Sequence, residues 1–478
     1  MSDNSNIRKK TVNAVIWNAI EKFLVKSASF VINIILARIL SPSDYGLIGM
    51  LAIFIALSTI FIESGFAKAL IQKQDCTEID YSTAFYSNLG VSLVIYILLF
   101  MSAPYIAQFY NEPQLCEILR ILSINFVIGS FNIVQRAKLM AKMDFKSLAK
   151  INFVGVLLGG ICGIIMAYTG WGVWALVGQT MVATLVMLFL FPHYSKWKPI
   201  WKFSSKSFKR LFGFGSKLLI TGTAATIVNN ISTIAIGKAY KSDQLGYYTR
   251  ANQFSEMIAI TVNDILGTVT FPVLSELQDE KERLVAVYRK SLFYTAFVIF
   301  PVMVLMALLA RPLIIVLLTE KWLPCVLLLQ ILCVTRMFTP LSAINMNVLN
   351  AIGRSDLFMR VDLCKIPIIL ISLAITIPIS VTAIVWGSLI TTFLCFFINA
   401  YYPGKLFGYG AWEQIKDYKK IFLAVAIMTA LVLTSGYIFK NIWLQLLIGI
   451  FLGGTGYIVS CFLLKVISVQ EIKTIFKR

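Results

Sequence analysis

Polar residues at helical spacing interrupt an otherwise apolar segment near the start of the chain. These amides, hydroxyls and lysines are Asn18, Lys22, Lys26, Ser29 and Asn33. Successive members are three or four positions apart, which places all of them on one face of an α-helix. An ammonium group is expensive to bury in hydrocarbon, so this face should contact water or a polar partner. Two lysines on a hydrated face could bind an anionic group that crosses a membrane.

A later apolar segment repeats this arrangement in the second half of the chain. Its polar residues are Lys217, Thr221, Asn229 and Ser232. The surrounding sequence repeats as well, because ARILSPSDYG at 37–46 resembles GKAYKSDQLG at 237–246. The recurrence predicts a central polar cavity lined from both halves.

Charged residues elsewhere in the apolar segments are further candidates for this cavity. Arg336 lies in the tenth apolar run, and Arg120 lies one helical turn from Glu117, which predicts a local ion pair instead. The predicted cavity cations and the polar residues that line the cavity with them are Lys22, Lys26, Lys217, Arg336, Asn18, Asn33 and Asn229.

Two acidic residues occupy nearly equivalent places in the second and eighth apolar runs. Glu63 and Asp264 are candidates for coupling transport to protons or Na⁺. The alternative is that both carboxylates pair with lysines and hold helices together. The sequence leaves both interpretations open.

About 14 apolar runs are long enough to span a bilayer as helices. Their approximate bounds are 12–38, 46–69, 82–108, 114–140, 146–169, 171–192, 208–238, 246–271, 288–310, 323–351, 357–379, 381–402, 419–438 and 442–465. Most of the 43 Lys and Arg residues fall in alternate gaps between the runs and at the two termini. This positive-inside pattern predicts a multi-pass protein of the bacterial inner membrane with both termini in the cytoplasm.

Composition excludes several other classes of protein. The chain is 58% hydrophobic with a mean hydropathy of +0.80, which leaves too little polar surface for a soluble fold. The net charge is +20, but the basic residues are expected in short cytoplasmic loops near anionic lipids, so we predict no nucleic-acid partner. A single histidine, His193, and eight cysteines without paired spacing argue against catalytic, metal and disulfide sites. No P-loop motif is present, and we predict neither a cofactor nor an enzymatic activity.

The predicted fold is an all-α polytopic membrane protein with two parallel-repeat six-helix lobes and two C-terminal helices. We assign 1–192 to the first lobe, 208–402 to the second, and 403–478 to the extra helices and a cytoplasmic tail. Between the lobes, 193–207 combines lysines with Trp197 and Trp201, which suits an amphipathic linker on the inner leaflet. Glycines four residues apart predict close helix packing at Gly159, Gly163, Gly449 and Gly453.

Several segments of the chain carry a resemblance to a known family. The opening segment is LARILSPSDYG at 36–46, which follows a helix containing Trp17, Glu21 and Lys22. Further segments are GFAKALIQK at 65–73, FYNEP at 109–113, MDFKSLAK at 143–150 and LGYYTRANQF at 245–254. Together they resemble Wzx-type polysaccharide flippases, most of all the WzxC-like group, in the polysaccharide-transport branch of the multidrug/oligosaccharidyl-lipid/polysaccharide (MOP) superfamily.

The resemblance implies a flippase that moves undecaprenyl-pyrophosphate-linked oligosaccharide repeat units from the inner to the outer leaflet. It implies alternating access through a cationic cavity, in which Lys22, Lys26 and Lys217 fit the role of pyrophosphate ligands by position. The implied partners are this lipid-linked oligosaccharide, membrane lipids and other proteins of polysaccharide assembly. The alternatives are a cation-coupled small-molecule or drug exporter of the same superfamily, and a polytopic polysaccharide polymerase.

Overall fold

The computed structural model describes residues 2–63, 70 and 76–466, and these residues form helices and short connections without a β-strand. The helices of the first half are α1 Ser2–Ile39, α2 Pro42–Glu63, α3 Glu78–Tyr110, α4 Gln114–Ala141, α5 Phe145–Tyr168, α6 Trp174–Ser195 and α7 Ser205–Ala239. Those of the second half are α8 Ser242–Glu276, α9 Lys281–Leu308, α10 Ala310–Leu318, α11 Cys325–Ala351, α12 Ser355–Thr376, α13 Val381–Phe407, α14 Ala411–Asp417, α15 Lys419–Ile438 and α16 Ile442–Leu463. A short 3₁₀ turn, Glu320–Trp322, precedes α11.

The long helices make this a multi-pass membrane protein. Within the described residues, ten of them are long and apolar enough to cross a bilayer. The remaining long helices, α1, α7, α8 and α12, are not among those ten. In α1 and α12 the reason is charge, since α1 carries Lys22 and Lys26, and Arg360, Asp362 and Lys365 lie within α12. The all-helical class is confirmed, and a count of 14 spans stays a prediction.

Helices α1–α7 and the start of α8 form one compact unit, Met1–Gly246. Within it, α5 packs closely on α6 because glycines remove side chains from the contact. A Cβ atom on Gly159 would lie 2.5 Å from the carbonyl oxygen of Gln179, and one on Gly163 would lie 2.9 Å from the Gln179 Cβ. The predicted close packing at these two glycines is confirmed.

The two repeated motifs contact each other inside this unit. The Ser43 and Ser242 hydroxyls are 2.8 Å apart. A Cβ on Gly46 would lie 1.7 Å from the Ser242 carbonyl oxygen, and a Cβ on Gly246 would lie 1.9 Å from the Pro42 carbonyl oxygen. The contacts are reciprocal at an offset of 200 residues, and only glycine permits this approach of the two backbones.

Residues Tyr247–Arg478 form the second compact unit. Its α9 and α11 are joined by a buried hydrogen bond from the Tyr288 hydroxyl to Asn345 Oδ1 (2.6 Å), and Gln414 of α14 donates to both residues. Close packing at Gly449 and Gly453 is also confirmed, since a Cβ at either position would come within 2.6 Å of a leucine methyl group. The predicted lobe boundaries at 192, 208 and 402 stay predictions.

In the segment predicted as an amphipathic linker, 193–207, residues 196–204 are neither helical nor in a strand, and they lie across the start of α3. The Ile200 N–H donates to the Ser82 hydroxyl (3.0 Å), and the Ser204 N–H donates to the Thr83 hydroxyl (3.1 Å). Only part of the segment presents aromatic residues outward, because Trp201 is 93% exposed whereas Trp197 is 5% exposed.

Candidate functional site

The polar stripe of α1 leaves two lysines exposed and unpaired. The side chains of Lys22 and Lys26 are both exposed, and no described carboxylate lies within 4.0 Å of either ammonium group. Glu21, the nearest carboxylate in sequence, bonds elsewhere, because Asn152 Nδ2 donates to its Oε1 over 2.6 Å. Each lysine therefore retains an uncompensated positive charge that an anion could bind.

Packing of α1 on α5 sets the direction of this stripe. Besides the Glu21–Asn152 bond, the Lys146 ammonium lies 5.5 Å from the centre of the Trp17 ring. Farther along, Ile32 packs so closely on α5 that a Cβ on Gly160 would lie 2.2 Å from its Cδ1. Trp17, Glu21 and Ile32 share the helical face that meets α5, and the neighbouring face carries the lysines.

The other residues predicted for this face are less exposed. Asn18 and Asn33 are half-buried, and Asn33 Nδ2 donates to the Ser29 carbonyl oxygen of its own helix over 2.8 Å. On α7, Asn229 is exposed, whereas the side chain of Lys217 lies outside the described residues. The role of these residues as cavity lining stays a prediction.

Arg336 belongs to a polar cluster in the second unit. Its Nη2 donates to Asn252 Oδ1 over 2.8 Å and lies 3.9 Å from Glu256 Oε1, while Asn252 Nδ2 donates to Glu256 Oε2 over 3.1 Å. A substrate anion would have to compete with Glu256 for this guanidinium. The role of Arg336 as a cavity cation stays a prediction.

The two candidates for ion coupling are Asp264 and Glu63. Asp264 is exposed, and no described lysine or arginine lies within 4.0 Å of its carboxylate. The side chain of Glu63 lies outside the described part of the chain. Pairing with a lysine therefore does not occur at Asp264 among the described side chains, and the coupling role of both residues stays a prediction.

Arg120 contacts an aromatic ring rather than the predicted carboxylate. Its guanidinium carbon lies 4.4 Å from the centre of the Phe100 ring, and its Nε approaches the Phe100 carbonyl oxygen at 3.5 Å. The expected pair with Glu117 is wrong, because the Arg120 guanidinium contacts Phe100 of α3 instead of the preceding turn of its own helix.

A pocket inside the first unit was not predicted from the sequence. It has a volume of about 400 Å³ and lies among α2, α4, α5 and α6. The polar residues of its wall are Thr59, Asn125, Asn132, Arg136, Asn152, Thr180 and Thr184. We call this cavity the α4 pocket, because Asn125, Gly129, Asn132 and Arg136 line it at spacings of four, three and four along α4. The same helical spacing that revealed the α1 stripe could have revealed this one.

Comparisons with known proteins agree with this fold. The WzxC lipopolysaccharide biosynthesis protein of Escherichia coli K12 is 25% identical over 406 residues, which cover 82% of this chain and 81% of WzxC. Among solved structures, the lipid II flippase MurJ in an inward closed conformation superposes with a TM-score of 0.74 at 16% identity, covering 93% of this chain and 98% of MurJ. An inward-facing multidrug resistance MATE transporter of the MOP superfamily gives a TM-score of 0.62 at 15% identity, covering 83% of this chain and all of the transporter.

The family comparison is more specific than the fold. A model described as polysaccharide biosynthesis protein matches residues 35–327, which is more than half of the chain. The match includes α2–α10, the end of α1 and the start of α11. The proteins of similar fold are a flippase and a transporter rather than enzymes. The chain therefore belongs to the polysaccharide biosynthesis protein family.

Proposed function

We propose that this protein moves undecaprenyl-pyrophosphate-linked oligosaccharide units from the inner to the outer leaflet, for the assembly of a surface polysaccharide. The observation that supports this most directly is the pair of exposed, unpaired lysines on α1, Lys22 and Lys26. A pyrophosphate diester carries two negative charges close together, and two ammonium groups one helical turn apart match that distribution. Membership in a polysaccharide biosynthesis family supports the same substrate class.

The physical task is to carry a charged, hydrated headgroup through hydrocarbon while its lipid tail remains in the bilayer. A hydrated cavity lined by Lys22 and Lys26 lowers the free energy of the anion relative to hydrocarbon. Alternating access then exposes the anion to one leaflet at a time. An inside-negative potential of 100 mV favours outward movement of two negative charges by about 4–5 kcal/mol.

The same lysines argue against export of cationic drugs. A pocket for organic cations should present carboxylates or aromatic faces, whereas the exposed charges of α1 in the described residues include Lys22 and Lys26. Coupling to protons or Na⁺ remains compatible with the proposal, because the unpaired carboxylate of Asp264 could bind either ion.

The experiment is a double substitution, Lys22→Ala and Lys26→Ala, in cells that depend on this protein for their surface polysaccharide. We expect normal membrane insertion, loss of surface polysaccharide, and accumulation of lipid-linked repeat units in the inner leaflet, measured by a leaflet-resolved assay. The matched control replaces two exposed lysines by alanine: Lys419, which begins α15, and Lys440, which lies two residues beyond its end. Normal export by the α1 double variant would refute the proposed role of these lysines.

A further inference from the structure

We propose that the α4 pocket receives the sugar portion of the lipid-linked headgroup, with Arg136 binding an anionic oxygen of the same ligand. The inference rests on the proposed function and specifies where the part of the substrate beyond the pyrophosphate is bound. The pocket lies entirely within the first unit, and none of its lining residues belongs to the α1 stripe that carries Lys22 and Lys26.

Unpaired amide groups in the wall give the pocket its chemical character. Asn132 is 8% exposed, and the Oδ1 atoms of Asn125 and Asn132 are both buried without a hydrogen-bond partner in the described part of the chain. No described residue accepts a hydrogen bond from either amide nitrogen. An amide offers a donor and an acceptor side by side, which is the pairing that a sugar hydroxyl requires. An unpaired buried amide costs free energy, and a hydroxyl-rich ligand would recover it.

The threonines on α6 add acceptors to this wall. The Thr180 hydroxyl donates to the Leu176 carbonyl oxygen over 2.6 Å, and the Thr184 hydroxyl donates to the Thr180 carbonyl oxygen over 2.9 Å. Each hydroxyl proton is thus engaged within α6, and the oxygen lone pairs remain able to accept hydrogen bonds from a ligand. The pocket therefore presents donors and acceptors from the α4 amides and further acceptors from α6.

Arg136 adds a positive charge to the pocket without a neutralising partner. Its side chain is exposed, and no carboxylate lies within 4.0 Å of it among the described side chains. A guanidinium binds phosphate or carboxylate oxygens with two parallel hydrogen bonds. A phosphate or an acidic sugar attached to the sugar chain would fit this position.

The remaining wall and the volume suit a sugar better than a lipid chain. At about 400 Å³, the pocket falls within the size range of small-ligand sites. Phe126, Phe191 and Ile133 supply apolar surface against which the C–H face of a sugar ring can pack. An acyl chain would use that surface but would leave the Asn125 and Asn132 amides unpaired, at a cost in free energy.

A graded filling of the pocket tests whether export requires this space. A Cβ on Gly129 would have no heavy atom within 4 Å, so Gly129→Ala leaves most of the pocket open and Gly129→Leu fills part of it without a backbone clash. We expect the loss of export to grow with side-chain size, from a small loss with Gly129→Ala to a loss of at least about tenfold with Gly129→Leu. Gly90→Leu is the matched control, because Gly90 is an exposed α3 residue with equally open surroundings and does not line the pocket.

A protection experiment then tests what occupies the pocket. Gly129→Cys is treated with a hydrophilic maleimide in membranes that contain lipid-linked oligosaccharide and in membranes from cells blocked at the first sugar transfer. Peptide mass spectrometry reads modification at position 129 separately from the eight native cysteines. We expect slower modification only where the sugar-bearing lipid is present. Equal rates in both membranes, which would also result from occupation by a bulk phospholipid, would overturn the inference.

The outcomes separate this inference from the proposed function. Normal export by Gly129→Leu, in cells where deletion of the protein traps lipid-linked units in the inner leaflet, would overturn the pocket's role and leave the flippase proposal intact. If deletion of the protein leaves those units reaching the outer leaflet at the normal rate, the proposed function itself fails.

Discussion

The two tryptophans of the 196–204 segment should respond very differently to truncation. Trp197 packs edge-on against Tyr81 and Phe85, with ring centroids 6.4 and 5.9 Å away, and its Nε1 donates to Glu78 Oε2 over 2.6 Å. Trp201 is 93% exposed, and its one ring contact in the described residues is a stacked arrangement with Tyr86 at 6.0 Å. We therefore expect the two substitutions to affect different properties of the protein.

The magnitudes follow from burial. Trp197→Ala removes a fully packed aromatic side chain and should lower the free energy of unfolding by about 3–5 kcal/mol. Trp197→Phe keeps most of the packing but loses the bond to the Glu78 carboxylate, so its cost should be smaller, about 1.5–3 kcal/mol. Trp201→Ala removes at most one aromatic pair, which is worth about 0.5–1.5 kcal/mol.

The assay is equilibrium unfolding of the purified protein in mixed micelles, with the three variants compared under one set of conditions. We expect the order of stability to be wild type, Trp201→Ala, Trp197→Phe and Trp197→Ala, from highest to lowest. Trp201→Ala should instead weaken binding of the 196–204 segment to anionic vesicles, because exposed tryptophans anchor at the membrane interface. Equal destabilisation by the two alanine substitutions would refute the assignment of one ring to the core and the other to the surface.

Two further predictions concern a backbone contact and an ion pair. Gly46→Ala places a methyl group 1.7 Å from the Ser242 carbonyl oxygen, so we expect a lower unfolding temperature and impaired export. The control Gly90→Ala has open surroundings and should change neither property. A normal unfolding temperature in Gly46→Ala would contradict the contact. Burial raises the pKa of Asp417, but hydrogen bonds from Arg289 and Tyr409 lower it more, so the net pKa lies below its ordinary 3.8. The stabilisation is present above pH 3.8 and is lost as the pH falls through the lowered pKa, so Asp417→Asn should be less stable than wild type at pH 7 and should converge with it in acid. A stability difference that persists unchanged at low pH would contradict this linkage.

The helices were predictable because each long apolar run lies in one continuous stretch of the sequence. The predicted tenth span, 323–351, agrees with α11 within two residues at each end. The first helix extends further than its apolar run, since α1 begins at Ser2 although the run begins at residue 12. Apolar runs report the part of a helix that meets hydrocarbon, and a helix can continue beyond it through polar residues.

The partners of polar side chains were less predictable, because tertiary packing decides among neighbours that the sequence cannot rank. Trp197 and Trp201 look alike in sequence, yet one completes a core cluster with Tyr81 and the other does not. The α4 pocket was missed for a related reason. From the sequence, Asn125 and Asn132 could either line a cavity or form hydrogen bonds between helices, as Asn345 does. Only the positions of the surrounding helices show that they face a cavity.

The distribution of paired and unpaired charges connects the fold to the proposed transport. Where charged residues hold elements together, partners are close: Arg210 reaches the buried Asp80 over 2.6 Å, and Lys138 reaches Glu78 over 2.7 Å. Both pairs fasten α3 to its neighbours, and neither leaves a charge available to a ligand. Lys22 lacks such a carboxylate partner in the described structure, as do Lys26 and Arg136. An unpaired cation in a membrane protein contributes little to folding and opposes burial in hydrocarbon. The ion pairs of α3 stabilise the fold. For Lys22, Lys26 and Arg136, a substrate that supplies the missing negative charge would provide the physical role instead.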